Sequence, residues 1–137
     1  MHRTTVLAID TSGRSLVEFT RHVADWVADS GVTTGLLTLF CRHTSASLLI
    51  QENAAPEVQD DLLAFFDRLA PEDAHYTHDS EGPDDMPAHL KAALTQTHLA
   101  IPVMDGRLAL GTWQGVYLFE HRRRPHRREV VLHLAGA

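Results

Sequence analysis

Ten histidines are many for a chain of 137 residues, and imidazole is the commonest side-chain ligand for metals. Three of the ten stand in settings that suit this chemistry. His43 lies at a turn between two apolar stretches, His78 in a long polar segment, and His89 inside an amphipathic stretch. They are far apart along the chain, so spacing alone does not bring them together as a motif of two close ligand pairs would. Local partners add to the case. Asp85 and His89 are four residues apart and share a helix face. There a carboxylate can hold one ring nitrogen and leave the other free for a metal. Asp79, beside His78, is a second orienting carboxylate or a ligand itself. Taken one at a time, each histidine is more often a surface or structural residue.

Other side chains add chemistry around these three. Thr44, Ser45 and Ser47 flank His43; their hydroxyl and backbone N–H groups can hold a phosphate oxygen, or simply close a hydrogen-bonded turn. Glu52 ends the following strand and can act as a general base or bind a metal-bound water, or can favour the start of the next helix. If Val116 and Leu118 point inward, Gln114 and Glu120 share that face, and a buried Gln114 needs a hydrogen-bond partner or a ligand. Arg107, Arg122 and Arg127 are candidate phosphate clamps. The lone cysteine, Cys41, follows the apolar run Leu36–Phe40 and reads as a buried, inert thiol. The remaining histidines read as surface, cap or strand residues, with His121 less clear because it follows Glu120 at a strand end.

The elements that must position these groups are legible in outline. Arg3–Ile9 and Leu16–Phe19 read as strands separated by the turn residues Asp10–Gly13. Thr20 is a candidate cap for a helix to about Asp29 with Phe19, Val23, Trp26 and Val27 on its apolar face, and Gly31 suits its end. Gly35–Cys41 and Ala46–Gln51 are strands joined at Arg42–Ser45. Pro56 opens a helix to about Leu69 with a stripe of Val58, Leu62, Phe65, Phe66 and Leu69. Pro71–Pro83 is polar and irregular, a loop long enough to point to function. Pro87 sits in the first turn of a third helix ending near Leu94. Strands at His98–Val103, Arg107–Leu110, Thr112–Glu120 and Glu129–Leu134 follow, with Asp105-Gly106 as a hairpin signal. The expectation is α+β: one two-layer domain over residues 1–137, a largely antiparallel sheet and about three helices.

Composition narrows the function classes. The formal charge is −6 and unevenly spread: eleven acids and only Arg68 as a base between Glu52 and Asp85, then five arginines and no acid between His121 and Arg128. An acidic chain with one short basic stretch is a poor general nucleic-acid binder. The arginines can bind phosphate on a small ligand, or pair with the acidic middle of the same chain or a neighbour's. No apolar run nears the roughly 20 residues of a membrane span, and the first residues lack a secretory signal's apolar region, so no membrane partner and a cytoplasmic location are expected.

Several blocks occur in order from about Arg3 to the C-terminus. They are His43-Thr44-Ser45-Ala46-Ser47, Gln51-Glu52-Asn53, Tyr76-Thr77-His78-Asp79, Asp84-Asp85-Met86-Pro87-Ala88-His89-Leu90, Gly106-Arg107, Gly111-Thr112-Trp113-Gln114-Gly115 and Glu120-His121. Together they resemble the signature blocks of the YjbQ family. The resemblance implies a compact α+β domain, a homotrimer with a site near a subunit boundary, and a histidine cluster holding a divalent metal. The expected metal in a structure is zinc, with magnesium or manganese as candidates in function. It implies His43, His78 and His89 as ligands. It also implies a weak thiamine-phosphate-synthase-like activity on a small phosphorylated compound, with Glu52, Asp79 and Gln114 as catalytic candidates and Thr44, Ser45, Arg107 and Arg122 as phosphate contacts. The arginine density of residues 122–128 departs from the family pattern. Chemistry leaves alternatives open. Pyrophosphate transfer normally uses Mg²⁺ with oxygen ligands, whereas three imidazoles favour zinc and an activated water. A metal-dependent hydrolase and a non-catalytic metal- or anion-binding trimer remain alongside the transferase.

Overall fold

The computed structural model describes residues 1–137. Along the chain run β1 (His2–Thr11), β2 (Ser15–Glu18), α1 (Thr20–Ser30), β3 (Gly35–Cys41), β4 (Ala46–Glu52), α2 (Pro56–Leu69), α3 (Asp85–Leu94), β5 (His98–Met104), β6 (Arg107–Leu108), β7 (Gln114–Glu120) and β8 (His126–Gly136). They form two antiparallel sheets, a five-stranded one in the order β1-β8-β3-β5-β6 and a three-stranded one in the order β2-β7-β4. The fold is α+β, as strands near both ends of the chain with helices grouped between them predict, and both of its main layers are sheets.

Strand patterning explains the packing. In β3, Leu37, Leu39 and Cys41 are buried while Leu36 and Phe40 are exposed, the period-2 alternation of a sheet covered on one face. Leu99, Ile101, Leu132 and Leu134 continue that inner face and meet Leu48, Val116 and Leu118 of the small sheet, with Val23 and Val27 of α1 closing the same core. β7 is buried on both faces from Gly115 to Glu120, because α2 covers its other side: Leu62, Leu63 and Phe66 pack on Leu16, Tyr117 and Phe119.

Three local expectations are corrected. Thr20 does not cap α1, whose N-cap position is Phe19; its hydroxyl accepts the Val116 N–H at 2.8 Å and donates to the Glu18 carboxylate at 2.8 Å, tying helix to sheet. The buried face of α2 is rotated from the expected stripe. Gln59 meets the Tyr117 hydroxyl and Leu63 joins the packing, which leaves Phe65 and Leu69 about half exposed, at 47% and 53%. A sheet only three strands wide offers a narrow contact line, so one flank of a broad apolar stripe stays uncovered. Gln114 does not share the burial of Glu120: it is exposed at the start of β7, and its side-chain oxygen accepts the Gly111 N–H at 2.8 Å.

Turn chemistry is as expected. Gly31 ends α1 with φ 75°, and Asp105 and Gly106 both have positive φ, 52° and 77°, the geometry a two-residue hairpin turn needs. The link Arg42–Ser45 crosses from the large sheet to the small one, so His43 and Thr44 stand at a corner of the sandwich. No helix is long and apolar enough to cross a membrane.

Candidate metal centre

α3 begins at this corner. Asp85 opens it and His89 follows one turn later, so both side chains project from one face. The segment before α3 brings His78 and Glu81 to the same place. One ligand atom from each of His78, Glu81, Asp85 and His89 lies within 4.8 Å of the others. His78 Nε2 is 3.1 Å from Glu81 Oε2 and 3.1 Å from Asp85 Oδ2, and His89 Nε2 is 3.2 Å from the same Asp85 oxygen.

The protons on these groups follow from their partners. His89 Nδ1 lies 2.9 Å from the Thr44 carbonyl oxygen. A carbonyl only accepts, so Nδ1 carries the proton and Nε2 of the neutral ring presents a lone pair. That lone pair faces a carboxylate oxygen, a repulsive contact unless a cation sits between them, either a second proton or a metal. Asp85 is buried, at 3% exposed, and its other oxygen takes a 2.7 Å hydrogen bond from Arg122 Nη1. Arg122 also donates from Nε to Asp84 Oδ2 at 3.0 Å and from Nη2 to the Glu81 carbonyl at 3.1 Å. Burial pulls the Asp84 carboxyl upward, but hydrogen bonds from the Arg123 N–H and from Arg122 outweigh it and hold the group below the usual carboxylate range. Beside the cluster a cavity of about 330 Å³ is lined by His78, Asp79, Tyr76, His75, Met86 and Glu72, among others.

The structure brings together only part of the expected set. His78 and His89 converge. His43 does not join them: its Nε2 accepts the Glu129 N–H at 2.7 Å, which leaves the proton on Nδ1 and no spare lone pair. Burial, then the nearby Arg128, lower its pKa, in keeping with a neutral ring. The His43 turn instead contributes the Thr44 carbonyl. Asp79 is exposed on the cavity wall. Ser45 is engaged by Arg128 through both its carbonyl and its hydroxyl. Asp85, expected to orient His89 from behind, stands on the Nε2 side, and the Thr44 carbonyl takes the orienting role.

Glu52, Gln114 and Arg107 lie elsewhere. Glu52 is at the far end of β4 from Thr44, some 20 Å along an extended strand of that length, where its carboxylate accepts the Ala55 N–H at 3.2 Å at the start of α2. Gln114 is its register partner. Arg107 pairs with Met104 at the Gly35 end of the large sheet, beside Asp25 of α1. Glu81 was not among the expected residues, although its place three residues after His78 is a usable signal. Arg122 and Arg123 bind the chain's own acids: Arg123 meets Glu72, and its N–H donates to Asp84 at 2.9 Å.

Behind the site lies a buried polar group. Glu120 is fully buried and receives Arg128 Nε at 2.7 Å and the Thr11 hydroxyl at 2.7 Å. Burial raises its pKa, but these donors, with the Arg122 N–H, more than offset that and lower it overall. His121 is 1% exposed; its Nε2 lies 2.9 Å from Ser47 Oγ, while Nδ1 has no partner. Burial, then Lys91, push its pKa down to about 3.

Comparison with known proteins agrees with this architecture. The family described as UPF0047 protein YjbQ-like matches residues 5–137. A UPF0047 protein of Synechocystis is 58% identical over 132 residues, covering 96% of this chain and 90% of that protein. The YjbQ protein of Escherichia coli O157:H7 is 42% identical over 135 residues, 98% of this chain and 96% of that one. A crystal structure of a YjbQ/UPF0047 protein from Clostridium acetobutylicum superposes with a TM-score of 0.88 at 36% identity, covering 96% and 99% of the two chains. The chain belongs to the UPF0047 YjbQ-like family.

Proposed function

We propose that this protein is a metal-dependent enzyme acting on a small phosphorylated compound, with His78, Asp85, His89 and Glu81 as the metal-holding set. The observation that carries this reading is the contact between His89 Nε2 and Asp85 Oδ2 at 3.2 Å, with His89 Nδ1 already committed to the Thr44 carbonyl. Two imidazoles and two carboxylates suit zinc or manganese, and the carboxylates make magnesium more acceptable than a set of three imidazoles does. A metal there supplies Lewis-acid stabilisation of charge on a leaving phosphate or pyrophosphate. The chain's own groups orient and bind. The Thr44 carbonyl fixes the His89 ring, and the cavity beside His78 offers Tyr76 and Met86 as walls for the substrate body.

In its finest form the reaction is thiamine-phosphate-synthase-like: a pyrimidine pyrophosphate joins a thiazole phosphate with release of pyrophosphate. Resemblance to the YjbQ blocks supports this. Hydrolysis of a phosphate ester is the second reading, favoured by the exposed carboxylate of Asp79 on the cavity wall, which can take a proton from water. Assembly as a homotrimer in the cytoplasm completes the proposal. The outer face of the large sheet is uncovered, with Val6 and Phe40 exposed on either side of Val131, and Leu36 nearby.

The test begins with metal content. Purified protein equilibrated with zinc, manganese or magnesium and then dialysed retains about one ion per subunit, and His89→Ala loses it. Loaded protein is then assayed on the thiamine precursor pair and on phosphate esters. Absence of retained metal in the wild type, or turnover unchanged in His89→Ala, overturns the reading. Metal retention without turnover of any substrate leaves the non-catalytic binding protein.

A further inference from the structure

We infer that Arg122 is the positioning residue that presets this metal centre, and that the arginine-rich stretch serves as an internal clamp. The inference rests on the metal reading above. Its first support is direction. The three nitrogens of one planar guanidinium reach Asp85 Oδ1 at 2.7 Å, Asp84 Oδ2 at 3.0 Å and the Glu81 carbonyl at 3.1 Å. Two of these acceptors belong to proposed ligand residues, and the third lies next to one. Holding Oδ1 of Asp85 turns Oδ2 toward the Nε2 atoms of His78 and His89. Holding the Glu81 carbonyl fixes the backbone from which the Glu81 side chain projects.

The second support is environment. The Arg122 side chain is mostly buried, as are those of Asp84 and Asp85, so this pair is not weakened by solvent as a surface ion pair is. The third is that the same segment braces the other wall. The Arg123 N–H shares Asp84 with Arg122, and Arg128 grips Ser45, the neighbour of the residue whose carbonyl orients His89. A lysine keeps the charge but presents one compact donor group in place of a fork, and does not reproduce three donors on separate nitrogens.

Cobalt(II) is the test ion, because its visible absorption reports coordination geometry. Wild type, Arg122→Lys, Arg122→Ala, Asp84→Asn and the exposed control Arg124→Ala are titrated with Co²⁺, and the fold of each metal-free variant is checked by circular dichroism and urea unfolding. Arg122→Lys should bind about 10- to 100-fold more weakly with an altered d–d band. Arg122→Ala should lose affinity and regain part of it on addition of millimolar guanidinium ion. Asp84→Asn, which takes the charge from one anchor and leaves a single acceptor oxygen, should fall between, and Arg124→Ala should match wild type. If the Arg122 variants do not fold, Asp84→Asn decides the matter by the same two readouts. A wild type that binds no Co²⁺ overturns the metal reading itself. A wild type that binds Co²⁺ while the folded Arg122 or Asp84 variants bind it equally well, with an unchanged spectrum, overturns the clamp alone.

Discussion

Acidification should destabilise this fold well before its carboxylates titrate, and His121 should be the main cause. Its pKa falls from 6.5 to about 3, first because burial disfavours the imidazolium and second because Lys91 is near. Between those values the unfolded chain binds a proton that the native chain does not. Stability therefore falls as pH drops below 6.5, and the loss is complete near pH 3. At about 1.36 kcal/mol per pKa unit, the full loss is about 5 kcal/mol, and about 2 kcal/mol of it is incurred by pH 5. His43, also held neutral, adds to the loss in the same direction. Asp84 and Glu120 contribute little between pH 7 and pH 5, the range of the assay. Their pKa values are depressed, so their stabilisation is fully present above the unfolded carboxylate pKa and is lost progressively from there down to the lower folded values. The assay is urea unfolding of chelator-treated protein at pH 7 and pH 5, wild type against His121→Gln. Glutamine can still meet Ser47 but does not titrate. The variant starts less stable; the decisive quantity is the drop between the two pH values, which should be about 2 kcal/mol smaller in the variant. Equal drops refute the assignment of His121 as a buried neutral base.

Two further substitutions test the scaffold by the same unfolding measurement at pH 7. Glu120→Gln leaves the buried Arg128 guanidinium without its carboxylate and should cost about 3 to 5 kcal/mol; a change under 1 kcal/mol would mean that the pair is solvated. Gly106→Ala places a Cβ on a residue with φ 77° and should cost about 1 to 2 kcal/mol, and a neutral effect would mean that the hairpin turn relaxes freely.

Much of the fold was legible because periodicity in the sequence tracks burial on one face. The strand patterns of Leu36–Cys41 and Val130–Leu134, the helix at Pro56–Leu69 and the Asp105-Gly106 turn all appear where local rules place them. What local rules do not contain is which sheet a strand joins. Nothing in residues 35–52 says that β3 and β4 part company at Arg42, and that parting sets the corner at which Thr44 meets His89. The rotation of α2 likewise depends on Tyr117 and the width of a sheet assembled from distant strands. The site was legible to the same extent. His89 and Asp85 share a helix face that spacing alone reveals. His43 has the right residue type in a matched block, but its lone pair is used by a backbone N–H from residue 129, a partner that only tertiary structure identifies. The arginine stretch had two readings open, ligand or own acids, and long-range pairing brings Arg122 and Arg123 to Asp84, Asp85 and Glu72.

The placement of the cluster bears on how a site of this kind can change without loss of the fold. His78 and Glu81 come from the loop before α3, and Asp85 and His89 from its first turns; none of the four belongs to the 18-residue sandwich core. The two links that cross between the sheets contribute the orienting groups: a backbone carbonyl at Thr44 from the β3–β4 link and the Arg122 guanidinium from the β7–β8 link. Short links anchored at both ends in the sheets therefore supply the orienting groups, while the longer loop and the helix start supply the proposed ligands. Ligand identity can then drift with modest effect on the core, whereas a shift of the Arg42–Ser45 corner or of the β7–β8 link would move an orienting group relative to every ligand at once. On the proposed metal reading, a lone pair and a carboxylate oxygen 3.2 Å apart hold a cation only while that spacing is kept, and the groups that keep it, the Thr44 carbonyl and the Arg122 guanidinium, lie outside the ligand set.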